Sequence, residues 1–326
     1  MEDGWERPAR VALTSGQLCE LIEPAFPGQS VASFATIASG LANTCVRFTL
    51  RETGEAYVLR IHTRDLKAAA LEQGVMAFLR NHESPIPVAG LRHTCLDTHA
   101  IGFPYSIWEY VEATELQTLF GKLGNMQMQG VAGACGHVLA AFSGYRFPRC
   151  AAFNAQMELA QEYGPPSKFT EAFAYEALFS GRAGGRLGTA VRDELWRTIQ
   201  RHSPALQEVD GAYCLVHGDF KRSNLLVDKR EGSWRVAAVL DWEFCFAGPA
   251  LVDVGNFLRA GAGLPPGFSE AFVAGYRAAG GHLPTDWLKL SRLVDLLSQL
   301  EFLNRPEARP RVFAENLAVI EETLRV

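Results

Sequence analysis

Apolar residues in the first third of the chain recur with two different periods, which predicts a region of mixed helix and strand. Thr14 and Gln17 resemble the start of a helix, and apolar residues follow at helical spacing. Strands are predicted at residues 31–38, 45–51 and 56–62. The turn between the last two contains a glycine, so these strands should form a hairpin. The pattern indicates a small antiparallel sheet near the start of the chain.

Helical periodicity dominates the remainder of the chain. A helix is predicted over residues 65–82, where apolar residues share one face: Leu71, Val75, Phe78 and Leu79. A buried strand at 105–111 follows, and beyond it only the stretch 213–243 carries a strand pattern. We therefore predict an α+β protein, with a small α/β lobe over residues 1–112 and a larger, mainly helical lobe over residues 113–326.

Composition and charge disfavour several classes of protein. The chain has 326 residues, of which 48% are hydrophobic and 21% charged, as in an ordinary soluble globular protein. Its net charge of -5 disfavours nucleic acid as the main partner, because nucleic-acid-binding domains usually carry a basic excess. The 7 cysteines form no C-x-x-C pair and fit a reduced, cytoplasmic protein. Neither a membrane span nor a signal peptide is predicted.

The candidate chemistry is concentrated in residues 215–228, where an apolar pair leads into a His-Gly-Asp triplet that ends at Asp219. Asn224 precedes the apolar strand that leads out, and a second apolar run ends at Asp241, within the segment 239–243. A hairpin would bring these three polar side chains to one edge. Phosphoryl transfer uses such a set, because one carboxylate accepts the proton of the attacking hydroxyl while a carboxylate and an amide oxygen hold Mg²⁺ on the phosphates.

This motif resembles that of the aminoglycoside phosphotransferase and choline kinase-like family, which has the two-lobed protein-kinase-like fold. The matching features are H-G-D-x-x-x-x-N and the later D-W-E, with His-Gly-Asp in place of the H-R-D of protein kinases. The resemblance implies that Asp219 is the catalytic base and that Lys221 touches the transferring phosphate. It also implies that Asn224 and Asp241 bind Mg²⁺. Structural roles are implied for two further residues, His217 and Asp253.

The same resemblance predicts a nucleotide site in the first lobe. One face of the strand 57–61 presents Val58 and Arg60, where the family carries an adenine-covering residue and a phosphate-binding cation. Arginine here replaces the usual lysine, and it can still bind phosphate. Glu72, in the following helix, matches the glutamate that pairs with this cation.

Two backbone segments complete the predicted nucleotide site. The loop 39–44, with Ser39 and Asn43, should cover the phosphates, although taken alone it would be an ordinary hairpin turn. The main chain at Glu109 and Val111 should bind the adenine edge, and the alternative for this segment is a plain core strand. The chain contains no G-x-x-x-x-G-K-[ST], which argues against a P-loop fold.

Three functions follow from these patterns. The leading one is an aminoglycoside-type phosphotransferase that uses ATP or GTP, and the second is a metabolic kinase for choline, homoserine, a sugar or a similar alcohol. The third, a nucleotide-binding regulatory protein without turnover, is disfavoured by the intact catalytic set. A cationic acceptor would need carboxylates in the helical lobe, and the candidates are Glu158, Glu162, Asp295 and Glu301. A solvated helix face is the alternative for these acidic residues.

Overall fold

The computed structural model describes residues 10–37, 43–259, 263–307 and 309–325. The helices of this part are α1 (Ser15–Ile22), α2 (Ala68–Asn81), α3 (Asn125–Phe142), α4 (Pro166–Tyr175), α5 (Ala183–Leu187), α6 (Thr189–His202), α7 (Leu251–Phe257), α8 (Phe268–Ala278), α9 (Trp287–Asn304) and α10 (Pro310–Leu324). The strands are β1 (Val31–Thr36), β2 (Thr44–Leu50), β3 (Ala56–Ile61), β4 (Leu91–Cys95), β5 (Tyr105–Glu109), β6 (Thr114–Glu115), β7 (Arg146–Phe147), β8 (Ala151–Phe153), β9 (Leu159–Glu162), β10 (Tyr213–Val216), β11 (Leu225–Arg230), β12 (Ser233–Val239) and β13 (Phe246–Gly248).

The first sheet is antiparallel and has the strand order β1-β2-β3-β5-β4. Helix α1 covers one face of it and begins at a capping box formed by Thr14 and Gln17. The helix and the sheet share a small core that includes Leu18, Ile22, Phe48, Leu59 and Ile107. Because side chains alternate along β3, Val58 and Arg60 lie on the face opposite this core.

Helix α2 follows the first sheet in sequence but packs on the larger part of the protein. Its apolar residues Val75, Met76 and Leu79 belong to the large core built by the later helices. Gly74 permits the close approach, because a Cβ at this position would lie 2.1 Å from the carbonyl oxygen of Ala155. The helix thereby holds Glu72, a buried residue, between the first sheet and the larger core.

The hairpin of β11 and β12 carries the predicted metal-binding residues at one end. It forms a three-stranded sheet in the order β12-β11-β6, and Leu225 pairs with Val239. Asn224 comes directly before β11 and Asp241 lies just beyond β12, so this register brings the two residues to the same edge. Strand β10, which leads to Asp219, is buried at every position and belongs to a second sheet in the order β7-β10-β13-β8-β9.

The predicted α+β class is confirmed, and the predicted elements occur with shifted ends. The prediction that strands beyond residue 111 are confined to 213–243 is wrong, because β6 to β9 and β13 are strands of two to four residues, too short to show a period in the sequence. The helix expected over 65–82 begins at Ala68, because the Asp65 carboxylate accepts the N–H of Lys67 in a turn before it. The strand expected over 105–111 ends at Glu109, and the chain then enters a turn in which the carbonyl of Val111 accepts the N–H of residue 113. The lobe boundary near residue 112 stays a prediction.

No helix in the described ranges has the length and apolar character needed to cross a membrane. The cytoplasmic location stays a prediction.

Candidate active site

The catalytic loop after β10 is held in place by a buried carboxylate. Asp253, on α7, accepts the backbone N–H of His217 at 2.7 Å and that of Gly218 at 3.0 Å. Asn256, one turn later, donates to the carbonyl of Gly218 at 3.3 Å. Burial raises the pKa of Asp253 to about 7, although its backbone hydrogen bonds act in the opposite direction. The role predicted for Asp253, that of a structural residue, matches these contacts.

His217 braces the loop from the other side. Its Nδ1 accepts the backbone N–H of Asp219 at 3.2 Å, and its Nε2 lies 2.8 Å from the carbonyl of Leu240. Burial lowers the pKa of this histidine, so the neutral ring with a proton on Nε2 fits both contacts. Gly218 has φ of 79°, and a Cβ there would lie 2.3 Å from the carbonyl oxygen of Phe244, which explains the glycine in the triplet.

The side chain of Asp219 lies at the surface of this loop with 23% of its area exposed. The Asn224 amide donates to its Oδ2 at 2.9 Å and to its carbonyl at 2.9 Å. The Lys221 ammonium is 3.2 Å from the same carboxylate oxygen. The structure therefore brings together three of the predicted catalytic residues, in the order expected from the motif.

Asp241 occupies a left-handed backbone conformation, with φ of 64° and ψ of 62°. This conformation costs a non-glycine residue about 1 kcal/mol or more and is a frequent feature of functional sites. The backbone N–H of Leu240 donates to the carbonyl of Asn224 at 2.9 Å, which ties the metal segment to the catalytic loop. The Asp241 side chain is 42% exposed and is thus accessible to a ligand.

Arg60 lies at the centre of a buried ionic cluster that joins the first sheet to the catalytic hairpin. Its Nη1 is 2.7 Å from Glu72 Oε1 and 2.8 Å from Asp241 Oδ1, and its Nη2 is 3.5 Å from Glu243 Oε2. Burial alone would lower the pKa of Arg60, but the three carboxylates outweigh it and raise the pKa. The ion pair between Arg60 and Glu72 is thus present in the structure.

The cluster is rich in carboxyl groups, because three of them contact the Arg60 guanidinium and one of these, Glu243, is also influenced by the charge of Arg64. Burial raises the pKa of Glu72 to about 7 and also raises the pKa of Glu243, with Asp241 adding to both shifts. Glu72 Oε2 is buried and has no hydrogen-bond partner among the residues that the structure describes. Behind it, burial and the charge of Arg60 lower the pKa of His62 to about 3, so this ring is neutral and cannot balance the cluster.

The other predicted nucleotide-site residues lie around this cluster or on its sheet. Asn43 donates to Glu243 Oε2 at 3.5 Å, whereas Ser39 is outside the described residues. Val58 is half-buried on the same face of β3 as Arg60. The N–H of Glu109 donates to the carbonyl of residue 90 at 2.8 Å, which occupies that donor. The roles of all of these residues in nucleotide binding stay predictions.

Sequence reasoning missed two charged residues of the site. Glu243 entered the sequence analysis only as part of the D-W-E motif, yet it contacts Arg60. Its position two residues after Asp241, in an otherwise apolar segment, could have indicated that it belongs to the site. Arg222, inside the catalytic loop, gave no signal in the sequence. Burial and the nearby Arg259 guanidinium both lower the pKa of Arg222.

The site thus joins the exposed carboxylate of Asp219, on the loop after β10, to the ionic cluster around Arg60 through the segment that ends at Asp241. Residues 33–291 match the model of the phosphotransferase enzyme family (APH). The chain belongs to this family. The resemblance seen in the sequence is thereby confirmed, and the prediction of a phosphotransferase enzyme is confirmed at the level of the family.

The chain is similar to a protein of known sequence over a short stretch and to proteins of known structure over most of its length. Acyl-CoA dehydrogenase family member 11 of Rattus norvegicus is 36% identical over 75 residues, a stretch that covers 23% of this chain and 9% of the relative. Macrolide 2'-phosphotransferase MphH from Brachybacterium faecium superposes with a TM-score of 0.67 at 19% identity, over 93% of this chain and 97% of that one. The GDP complex of wild-type aminoglycoside 2'-phosphotransferase-IIIa gives a TM-score of 0.71 at 16% identity, over 96% and 99% of the chains. The predicted kinase-like fold is confirmed.

A magnesium ion fits the oxygen donors of this site. Nothing in the described part of the chain donates to Asn224 Oδ1, because the amide nitrogen is the atom turned to Asp219. The described residues contain no cluster of three or more His, Cys, Asp or Glu residues suited to a metal. Mg²⁺ suits such a sparse site, since it commonly takes one or two protein ligands and completes its shell with phosphates and water.

Asp253→Asn should lower both stability and turnover. The two carboxylate oxygens of Asp253 now accept two backbone N–H groups. An amide has only one oxygen, so its NH₂ group would face one of these N–H groups and leave it without an acceptor. We expect the free energy of unfolding to fall by about 1–3 kcal/mol, as for other buried groups left without a partner. Urea denaturation measures this change.

The matched control for Asp253→Asn is Asp228→Asn on β11, whose carboxylate pairs with Arg235 at the surface. Exposed pairs of this kind contribute about 0–1 kcal/mol. Equal losses of stability in the two variants would contradict the bracing role of Asp253.

Proposed function

We propose that this protein is a small-molecule kinase, which transfers the γ-phosphate of ATP or GTP to a hydroxyl group of a small acceptor with the help of Mg²⁺. The observation that carries this proposal is a set of linked contacts. Asn224 bonds Asp219 and accepts the backbone N–H of Leu240, the residue before Asp241, and Asp241 contacts Arg60. Such a network links a base for the acceptor with a cation for the phosphates, which is what phosphoryl transfer requires.

In the proposed reaction the acceptor hydroxyl binds against the exposed carboxylate of Asp219. The hydroxyl oxygen forms a bond to the γ-phosphorus while the bond from that phosphorus to the bridging oxygen breaks, and the hydroxyl proton passes to Asp219. The nucleoside diphosphate leaves with the bridging oxygen. Lys221, 3.2 Å from the carboxylate, is close enough to contact the transferring group.

The proposed nucleotide site lies at the ionic cluster around Arg60. Arg60 would bind the phosphates and is oriented for this by Glu72. Asn224 and Asp241 would hold Mg²⁺, which neutralises charge on the phosphates when it is bound. Val58 would cover the adenine or guanine ring, and the main chain at Glu109 and Val111 would bind its edge. The GDP bound to the aminoglycoside 2'-phosphotransferase supports a nucleotide donor by analogy of fold.

The identity of the acceptor is a separate proposal. An aminoglycoside is the leading class by the family resemblance, and a neutral or charged metabolic alcohol is the alternative. The four carboxylates that could attract a polycation are each bonded to another side chain, in the pairs Glu158 with Asn154, Glu162 with Arg149, Asp295 with Arg259, and Glu301 with Arg305. This engagement weakens the case for an aminoglycoside relative to a metabolic alcohol.

An acceptor panel tests the proposed function. Purified protein with ATP or GTP and Mg²⁺ is offered kanamycin, choline, homoserine, glycerol and ribose, and nucleoside diphosphate release is measured. We expect release that depends on at least one acceptor and is lost in Asp219→Asn. Nucleotide binding without such release in any combination would favour a regulatory protein over a kinase. Protection of bacteria by expression of the chain would identify an aminoglycoside acceptor.

A further inference from the structure

Arg222 is a half-buried cation within the catalytic loop, three residues after Asp219. It is the first residue of a short 3-10 helix, Arg222–Asn224. The last residue of this helix, Asn224, donates to the Asp219 carboxylate. Its guanidinium lies over the ring of Phe120, 4.7 Å from the ring centre. Within the described ranges no carboxylate forms an ion pair with it.

The contrast with the other arginines of the site makes this environment informative. Arg60 contacts Glu72 and Asp241, so its charge is balanced within the protein. An aromatic face attracts a guanidinium by about 0.5–2 kcal/mol but carries no charge, so it leaves the positive charge of Arg222 unbalanced. A partly desolvated cation in the catalytic loop, with no ion-pair partner among the described residues, is arranged for a ligand that brings the negative charge.

Arg259 adds to the positive character of this side of the loop. It follows α7, the helix whose Asp253 holds the loop, and it bonds Ser298 at 2.9 Å and both oxygens of Asp295. Arg259 is close enough to Arg222 for its charge to lower the pKa of Arg222, and its own guanidinium pairs with Asp295.

We infer that the acceptor carries an anionic group, a carboxylate or a phosphate, which binds Arg222 while the acceptor hydroxyl lies at Asp219. This inference rests on the proposed function, because it concerns the same site. Arginine suits the task, since its planar guanidinium bonds either anion through two parallel N–H groups. Phe120 would hold the guanidinium plane in position for this contact.

The first experiment compares anionic acceptors with their neutral counterparts on the wild-type protein. The carboxylate arm pairs glycerate with glycerol and gluconate with glucose, and the phosphate arm pairs glycerol 3-phosphate with glycerol and ribose 5-phosphate with ribose. Kanamycin and choline form a cationic arm. We expect kcat/KM for at least one anionic acceptor to exceed that of its neutral counterpart by about tenfold or more. The arm that reacts identifies the anion.

The second experiment removes the cation. In Arg222→Gln the ratio of kcat/KM between the anionic acceptor and its neutral counterpart should fall by about 10- to 100-fold, mainly through KM, because the contact is charge-assisted. Arg222→Lys should keep most of the ratio. The matched control is Arg230→Gln at the end of β11, the strand that follows the catalytic loop. Arg230 is 70% exposed and lies 3.7 Å from Asp228. This variant should keep the full ratio.

The outcomes separate this inference from the proposed function. If only cationic or neutral acceptors are turned over, the anionic acceptor is ruled out and the kinase assignment stands. The same conclusion holds for the role of Arg222 if an anionic acceptor keeps its advantage in Arg222→Gln. If Arg222→Gln does not fold, the wild-type comparison and Arg222→Lys decide the matter. Nucleotide consumption that is independent of Asp219 with every acceptor overturns both proposals together.

Discussion

Asp219→Ala should abolish phosphoryl transfer while nucleotide still binds. The carboxylate contacts Asn224 and Lys221 and makes no contact with Arg60, the proposed phosphate-binding cation. General-base catalysis is typically worth about 10²–10⁴-fold, so kcat should fall by at least this factor. Acceptor-dependent diphosphate release measures turnover, and calorimetry with ATP measures binding, which should stay close to that of the wild type.

Asp228→Ala is the matched control for this variant. Asp228 lies on the strand that follows Asn224, and its carboxylate pairs with Arg235 away from the catalytic loop. This variant should retain nearly full activity. Residual turnover of Asp219→Ala within about tenfold of the wild type would show that another group accepts the proton.

Asp241→Asn should remove magnesium-dependent activity and weaken nucleotide binding only when magnesium is present. The amide keeps the size of the side chain but loses the negative charge that attracts the ion and that contacts Arg60 at 2.8 Å. We expect kcat to fall by about 100-fold or more, since an electrostatic contact to the transferring group is lost. Nucleotide titrations with and without Mg²⁺ measure the effect on binding.

Glu243→Gln is the control that distinguishes the predicted metal ligand Asp241 from a residue that belongs only to the ionic cluster. Glu243 also contacts Arg60, at the longer distance of 3.5 Å, and is not among the predicted metal ligands. This variant should keep the difference between titrations with and without Mg²⁺, whereas Asp241→Asn should lose it. If Asp241→Asn keeps a difference as large as that of the wild type, Asp241 does not bind the metal.

The catalytic loop could be predicted from the sequence because its signal is local. His217, Gly218, Asp219 and Asn224 are fixed in spacing by one loop and one strand, and the hairpin register then brings Asp241 to the same edge. The alternation of β3 likewise assigned Arg60 to the face opposite the small core. Period and spacing are properties of neighbouring residues, so an isolated sequence retains them.

The ionic cluster and the acceptor side depended on contacts between distant segments. The sequence offered Glu72 as a partner for Arg60 only by resemblance, whereas the packing of α2 on the larger core is what brings Glu72 to 2.7 Å from it. No local pattern indicates that Asp295 bonds Arg259, 36 residues earlier in the chain.

The sequence by itself therefore determined the family, the fold class and the catalytic loop, because each depends on residues that are close together in the chain. The tertiary structure decided which of the candidate carboxylates are paired, and that Arg222 forms no ion pair with any described residue, since pairing is set by packing between segments distant in sequence. Arg222 shows the difference. In the sequence it is one basic residue among 31 Lys and Arg residues, and only its surroundings in the fold indicate an anionic acceptor.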